Sequence, residues 1–215
     1  MSNTSDETIL LAVDLDGTLL NSDMLLETFW NAASKDWSSA LNAVSALAKG
    51  KAALKRELAV VSDVDITTLP YNTDVLDYIA AWKARGGKVA LVTATDQAIA
   101  EDIAQHLGVF DAVHGSSGDL NLKGDNKARF LTENYGTDGY AYMGDTDADL
   151  PVWSAAREII TVNAPKKLRA KAETLGGDIT HLGKDTTDFK PYIKALRPHQ
   201  WVKNILVFVP IFLAH

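Results

Sequence analysis

The stretch Val13-Asp14-Leu15-Asp16-Gly17-Thr18-Leu19 decides how the rest of this chain is read. Five apolar residues, Ile9 to Val13, run straight into two aspartates spaced i and i+2, followed by Gly-Thr. An unbroken apolar run of that length predicts a strand buried on both faces, as inside a parallel sheet. Carboxylates at the end of such a strand are costly near a core unless they bind a metal or carry chemistry. In an extended segment the i, i+2 spacing puts both on one side of the chain. Gly17 lets the backbone turn sharply and approach a ligand closely. A surface Asp-Gly turn has the same local composition, so the reading depends on what the other strand ends carry.

Outward from this stretch the pattern changes at once. Between Asn21 and Leu69 the apolar residues fall at helical spacing: Leu25, Phe29 and Trp30, then Trp37, Leu41, Val44 and Leu47, then Ala53, Leu54 and Leu58. The spacing and the abundance of alanine predict about two to four short helices. Residues 21–70 are too few for an independent core, so they are expected to pack as a helical cap over something else. Lys49, Lys51, Lys55 and Arg56 read as its solvated basic face.

Beyond the insert, strand alternates with helix. Asn72 or Thr73 caps a predicted helix from Asp74 to Arg85. A second buried strand, Lys88 to Val92, ends in Thr93-Ala94-Thr95. A helix over 97–107 stops at Gly108, and a short strand near Ala112–His114 leads into a loop, Gly115 to Gly118. Lys123 to Lys127 open a helix running to about Asn134. A third strong strand, Gly139 to Met143, ends in Gly144-Asp145-Thr146-Asp147-Ala148-Asp149. A helix over 150–156, a strand over 158–162 and a helix from Pro165 to Leu175 complete the alternation. Asp96, Asp125 and Asp147 read as helix caps. The rhythm predicts an α/β, doubly wound parallel sheet with right-handed crossovers, built from residues 1–20 and 71–183.

Composition bounds the function classes. The 215 residues contain no cysteine, which leaves no disulfide framework and no thiolate metal site and fits a reducing, cytoplasmic compartment. Residues 1–162 hold 12 Lys/Arg against 24 Asp/Glu, whereas residues 163–215 hold 9 against 4. An acidic body offers no surface for displacing phosphate counterions, which argues against nucleic acid as a partner. A basic final quarter followed by apolar residues points to a membrane surface instead.

Three buried strands thus end in Asp14 and Asp16, in Thr93, and in Asp145 and Asp149. In open parallel sheets the ligand crevice lies beyond the carboxyl ends of the strands, where strand order reverses, so these side chains are expected to meet. Four carboxylates in one crevice repel one another unless a cation holds them, and oxygen-only ligands favour a hard ion such as Mg²⁺.

Asp14-Leu15-Asp16-Gly17-Thr18, Thr93 after its apolar strand, Lys127 opening a helix and Gly144-Asp145-x-x-x-Asp149 together resemble the four motifs of the haloacid dehalogenase (HAD) superfamily. Their order matches, and the insert falls where that superfamily carries its helical cap. The resemblance implies a Mg²⁺-dependent phosphatase in which Asp14 is the nucleophile and Asp16 the general acid, then base. It implies that Thr93 and the adjacent Ala94 contact the phosphoryl group and that Lys127 neutralises its charge. Mg²⁺ would be held by Asp14, the Asp16 backbone carbonyl and Asp145, with Asp149 orienting Lys127 or a metal-bound water. Lys123 competes for the lysine role; Lys127 is preferred because its helix returns directly to the Asp145 strand. An acid at position 16 favours phosphate-ester hydrolysis, with phosphomutase action the alternative. A regulatory domain without activity is the reading from another class.

Residues 184–215 break the rhythm. Arg197-Pro198-His199-Gln200-Trp201-Val202-Lys203-Asn204 leads into the apolar run Ile205–Ala214. Ten residues are too few to span a bilayer, which takes roughly twenty. The string is similar to the start of the first transmembrane helix in UbiA-family polyprenyl-phosphate phosphoribosyltransferases. The resemblance implies a longer fusion protein at the cytoplasmic face of a membrane. Lys190, Lys194, Arg197 and Lys203 would be its juxtamembrane cluster, and a lipid-linked sugar phosphate its candidate substrate.

Overall fold

A computed structural model describes residues 9–24, 27–28, 65–118 and 120–183. Six strands form one sheet: β1 (Leu10–Val13), β2 (Val89–Asp96), β3 (Ala112–Ser116), β4 (Tyr140–Gly144), β5 (Glu158–Val162) and β6 (Asp178–Leu182). Between them run α1 (Thr73–Ala84), α2 (Gln97–Leu107), α3 (Asp125–Tyr135), the short α4 (Leu150–Trp153) and α5 (Lys166–Glu173). Every strand pairing is parallel, and the order across the sheet is β3-β2-β1-β4-β5-β6. The chain steps outward from β1 to β3, then returns to lay β4 on the other side of β1. Strand order therefore reverses between β1 and β4, which is where such a sheet opens a crevice.

The alternation of side chains along each strand builds two cores, one on each face. Leu11 and Val13 of β1 join Val75, Ile79 and Trp82 of α1 and Ile103 of α2. Ala12 points the other way, with Leu131 of α3, Trp153 of α4 and Leu168 of α5. The helices thus cover both faces, and the central strands β1 and β4 are almost wholly buried because neither face meets water.

The helix ends follow local chemistry. The Asn72 side chain accepts from Asp74 N at 3.1 Å and caps α1. Asp96 caps α2, and Gly108 ends it in the left-handed conformation at φ 64°. Asp125 and Asp147 are not caps. Gly124 stands at the α3 N-cap position, and Thr146 caps the 3-10 turn Asp147–Asp149 while Asp147 pairs with Lys171.

Four further elements depart from the sequence expectation. β2 continues through Thr93 to Asp96, and Gly115 and Ser116 belong to β3, because the two strands pair again at Asp96 and Ser116 after a register shift. α4 stops at Trp153 rather than at 156. β6 was not expected. Its Asp-Ile-Thr-His-Leu sequence has no apolar run, since an edge strand pairs on one side and stays partly exposed.

The insert leaves and rejoins the sheet at one place. Asn21 N donates to Pro70 O at 2.9 Å, and Asn72 N donates to Leu19 O at 2.8 Å. Both ends of the excursion thus lie just beyond the Asp14–Asp16 stretch. The helical sets expected within the cap fall largely on residues 25–26 and 29–64, outside the described residues, as does the 184–215 tail. Among the described residues no helix is long and apolar enough to cross a membrane.

Candidate active site

Asp14 follows directly on β1, and its backbone N extends the ladder to Met143 O at 3.0 Å. Its Oδ1 accepts from Leu15 N at 2.8 Å and from Lys127 Nζ at 2.8 Å. The two side chains are 14% and 4% exposed, so this is a nearly dry ion pair. Gly17 then turns the chain at φ 73°, and a Cβ there would collide with the Asp145 carboxylate. Glycine is required on both counts. Thr18 donates its hydroxyl to Asp145 Oδ1 at 3.2 Å. Asp16 is held from two sides: Met24 N donates to Oδ1 at 2.7 Å and the Thr95 hydroxyl to Oδ2 at 3.1 Å.

The β4 end supplies the facing wall. Asp149 Oδ2 accepts from Asp145 N at 3.1 Å, Thr146 N at 3.0 Å and the Thr146 hydroxyl at 3.2 Å. Its Oδ1 accepts from the Tyr142 hydroxyl at 2.9 Å. With both oxygens engaged, Asp149 clamps the loop that carries Asp145. Gly144 makes room for this clamp: a Cβ there would stand 2.7 Å from Asp149 Cγ and 2.9 Å from Tyr142 Cε1.

Lys127 reaches the crevice from α3, 3% exposed, and donates to both Asp14 and the Tyr142 hydroxyl. Lys123 also lines the cleft, but as an exposed residue on its rim. The cleft encloses about 610 Å³ and is lined by Asp14, Asp16, Lys127 and Asp145 among others. Ala94 and Thr95 line it too. Thr93 is fully buried, and its hydroxyl accepts from Thr95 N at 3.0 Å.

Burial is the main electrostatic fact of the site. It pushes the Asp14 carboxyl up to about 6, against the opposing pull of Lys127. It pushes Asp145 up to about 8, helped by repulsion from Asp149 and Asp14. Oxygens of Asp14, Asp145 and Asp149 lie within 4.8 Å of one another. Asp14 and Asp145 offer half-buried oxygen donors, and Asp149 is buried behind them with its oxygens engaged. The set carries more negative charge than Lys127 offsets, which fits a hard divalent cation.

Three residues at the site were not singled out in the sequence. Thr18 and Thr95 orient Asp145 and Asp16, and Tyr142 joins Lys127 to Asp149. Tyr142 carries one legible signal, shared with Tyr140 of the same buried strand: a hydroxyl that must find a partner there.

An uncharacterised protein, y4nM of Sinorhizobium fredii (strain NBRC 101917 / NGR234), is 41% identical over 209 residues, 97% of this chain. The chain spans 40% of the length of that relative. Among solved structures, a protein of unknown function from Bordetella pertussis Tohama I aligns with TM-score 0.61 and 20% identity, over 79% of this chain and 96% of that one. A substrate-bound phosphoserine phosphatase aligns with TM-score 0.57 and 19% identity, over 86% of this chain and 98% of that one. A phospho-aspartyl intermediate analogue of phosphoserine phosphatase aligns equally well, at 18% identity and the same coverage. At these identities the likeness is one of fold. The sequence family of haloacid dehalogenase-like hydrolases matches residues 11–154, a span that holds both carboxylate-bearing strand ends and the lysine between them. The chain therefore belongs to the haloacid dehalogenase-like hydrolase family.

Proposed function

We propose that this domain is a Mg²⁺-dependent phosphomonoester phosphatase that works through an aspartyl-phosphate on Asp14. The observation that carries the reading is the Asp14 carboxylate itself. It sits at the strand-order reversal, with Oδ1 occupied by Leu15 N and Lys127, which leaves Oδ2 as the attacking oxygen. The family membership and the likeness in fold to phosphoserine phosphatase point the same way.

The chemistry divides among the residues of the cleft. Asp14 Oδ2 bonds to phosphorus as the ester oxygen leaves, and Asp16 gives its proton to that oxygen. Asp16, now a carboxylate, takes a proton from water, whose oxygen displaces Asp14 and releases inorganic phosphate. Met24 N and Thr95 fix the Asp16 carboxyl for both transfers. Lys127 balances the charge shared by Asp14 and the phosphoryl oxygens. Ala94, in the cleft wall beside Thr95, and Thr93, buried just behind them on β2, are assigned to the phosphoryl group. Asp14, Asp145 and the Asp16 carbonyl are the proposed Mg²⁺ ligands, and Asp149 holds the Asp145 loop. Bound there, Mg²⁺ would neutralise the carboxylates and draw phosphate oxygens toward Asp14.

Hydrolysis of an aryl phosphate with and without Mg²⁺, for the native chain and Asp14→Asn, tests this. Metal-dependent release abolished by the substitution supports it; metal-independent release, or a substitution without effect, sinks it.

The physiological ester is proposed to be the 5-phosphate of a polyprenyl-phosphoryl-phosphoribose, handled at the cytoplasmic face of a membrane. Support comes from the Arg197–Asn204 string, its basic flank and a relative much longer than this chain. Faster phosphate release from that lipid-linked sugar than from free ribose 5-phosphate is the expected result. Equal or slower turnover of the lipid substrate contradicts it.

A further inference from the structure

Resting on the phosphatase reading above, we propose that Tyr142 is a positioning residue: its phenol sets the Lys127 ammonium against Asp14 and ties it to the loop that carries Asp145. The phenol lies 2.9 Å from Lys127 Nζ and 2.9 Å from Asp149 Oδ1. An ammonium has only protons to give, and all the partners of Asp149 are donors, so the direction of the relay is fixed. Lys127 donates to the phenol oxygen, and the single phenol proton goes to Asp149. Two of the three Nζ protons are then committed, one to Asp14 and one to Tyr142. The third remains for a phosphoryl oxygen.

The surroundings hold the relay in place. Tyr142 is fully buried, and Lys127 Nζ stands 5.5 Å from its ring centroid. The missing Cβ of Gly144 leaves the space in which the ring edge and the Asp149 carboxylate approach each other. The other Asp149 oxygen holds Asp145 N and Thr146 N. The relay therefore runs from the cation facing the phosphoryl group to the backbone of a proposed metal ligand. Without the phenol, an ammonium on a flexible four-carbon stem keeps one of its two fixed partners. A tyrosine that merely fills the core, beside Leu131 and Trp153, would lose nothing as phenylalanine.

The test uses the full chain with p-nitrophenyl phosphate and Mg²⁺. Tyr142→Phe is expected to lower kcat by about thirtyfold, the loss of one hydrogen bond to a charged group, with KM changed less than about threefold. In a Lys127→Ala background the same change is expected to add less than about threefold, because its effect runs through the lysine. A native kcat in Tyr142→Phe, or equal losses in both backgrounds, overturns the inference. An inactive native chain, or an active Asp14→Asn variant, overturns the phosphatase reading itself and this inference with it. Active native protein, inactive Asp14→Asn and full-speed Tyr142→Phe overturn the role of Tyr142 alone. Should Tyr142→Phe fail to fold, 3-fluorotyrosine at position 142 keeps the shape and weakens the phenol as an acceptor. A fall in kcat of about twofold or more then supports the relay, and an unchanged kcat overturns it.

Discussion

At the carboxyl ends of β1 and β4 lies a cleft of about 610 Å³, and at the amino ends of β5 and β6 a groove of about 460 Å³. The groove contains Asp138, Arg157 and Asp178, all exposed, so water solvates each charge separately. The cleft contains Asp14, Asp145 and Asp149 at least half buried, and its neutralising cation, Lys127, is itself buried. Both hollows hold acids and a base. Only in the cleft does burial force the charges to be answered by directed hydrogen bonds, a lysine and room for a cation. Volume alone would barely separate the two; desolvated charge separates them clearly.

The largest effect that could break this contrast is at Lys127. Lys127→Ala leaves Asp14 buried without its counter-charge and is expected to lower kcat by about a hundredfold or more, in steady-state phosphate release. A loss below about threefold would mean that the buried pair is structural only. Next comes Gly17→Ala, which forces a side chain into φ 73° and against Asp145. It is expected to destabilise by about 1–3 kcal/mol in urea unfolding and to weaken Mg²⁺ binding by calorimetry. Native values for both would show that the close approach of Gly17 to Asp145 is not required.

The pH response sharpens the same contrast. Asp14 and Asp145 have folded pKa values raised from 3.8 to about 6 and about 8. Between those limits the folded state holds protons that the unfolded state has lost, so stability falls as pH rises. Metal-free protein is expected to unfold at progressively lower temperature across that window, and Mg²⁺ at its upper end to reverse the trend. A flat profile, or one insensitive to Mg²⁺, would count against a charge-strained cleft. The smallest effect is expected in the groove. Arg157→Ala should change stability by less than about 0.5 kcal/mol and leave turnover within about twofold. A tenfold loss of turnover would give the groove a role that its solvated charges do not suggest.

Central strands and the starts of α1 and α2 were legible because both cores demand apolar runs and the Asn72 and Asp96 side chains cap those helices. The helices α3, α4 and α5 begin without a side-chain cap and were less so. Gln97–Leu107, bounded by Asp96 and Gly108, was readable to the residue. β6 was not, since an edge strand does not need an apolar sequence. At the site, Asp14 and Asp145 announce themselves as acids after buried strands. The residues that hold those acids do not. Thr18 on Asp145, Thr95 on Asp16 and Tyr142 on Asp149 act through where their hydroxyls point, and those partners lie 127, 79 and 7 residues away. Spacing along the chain cannot reveal the two threonine pairings, which only the sheet order creates.

The central claim is that Asp14 becomes phosphorylated during turnover. Its most direct test is acid quenching of the enzyme in mid-turnover with an aryl phosphate and Mg²⁺, then mass spectrometry of the peptide that contains Asp14. The expected result is a phosphoryl adduct on Asp14 that forms and decays at rates compatible with kcat and is missing in Asp14→Asn. Full turnover with no adduct on that peptide, or an adduct on another residue, would contradict it.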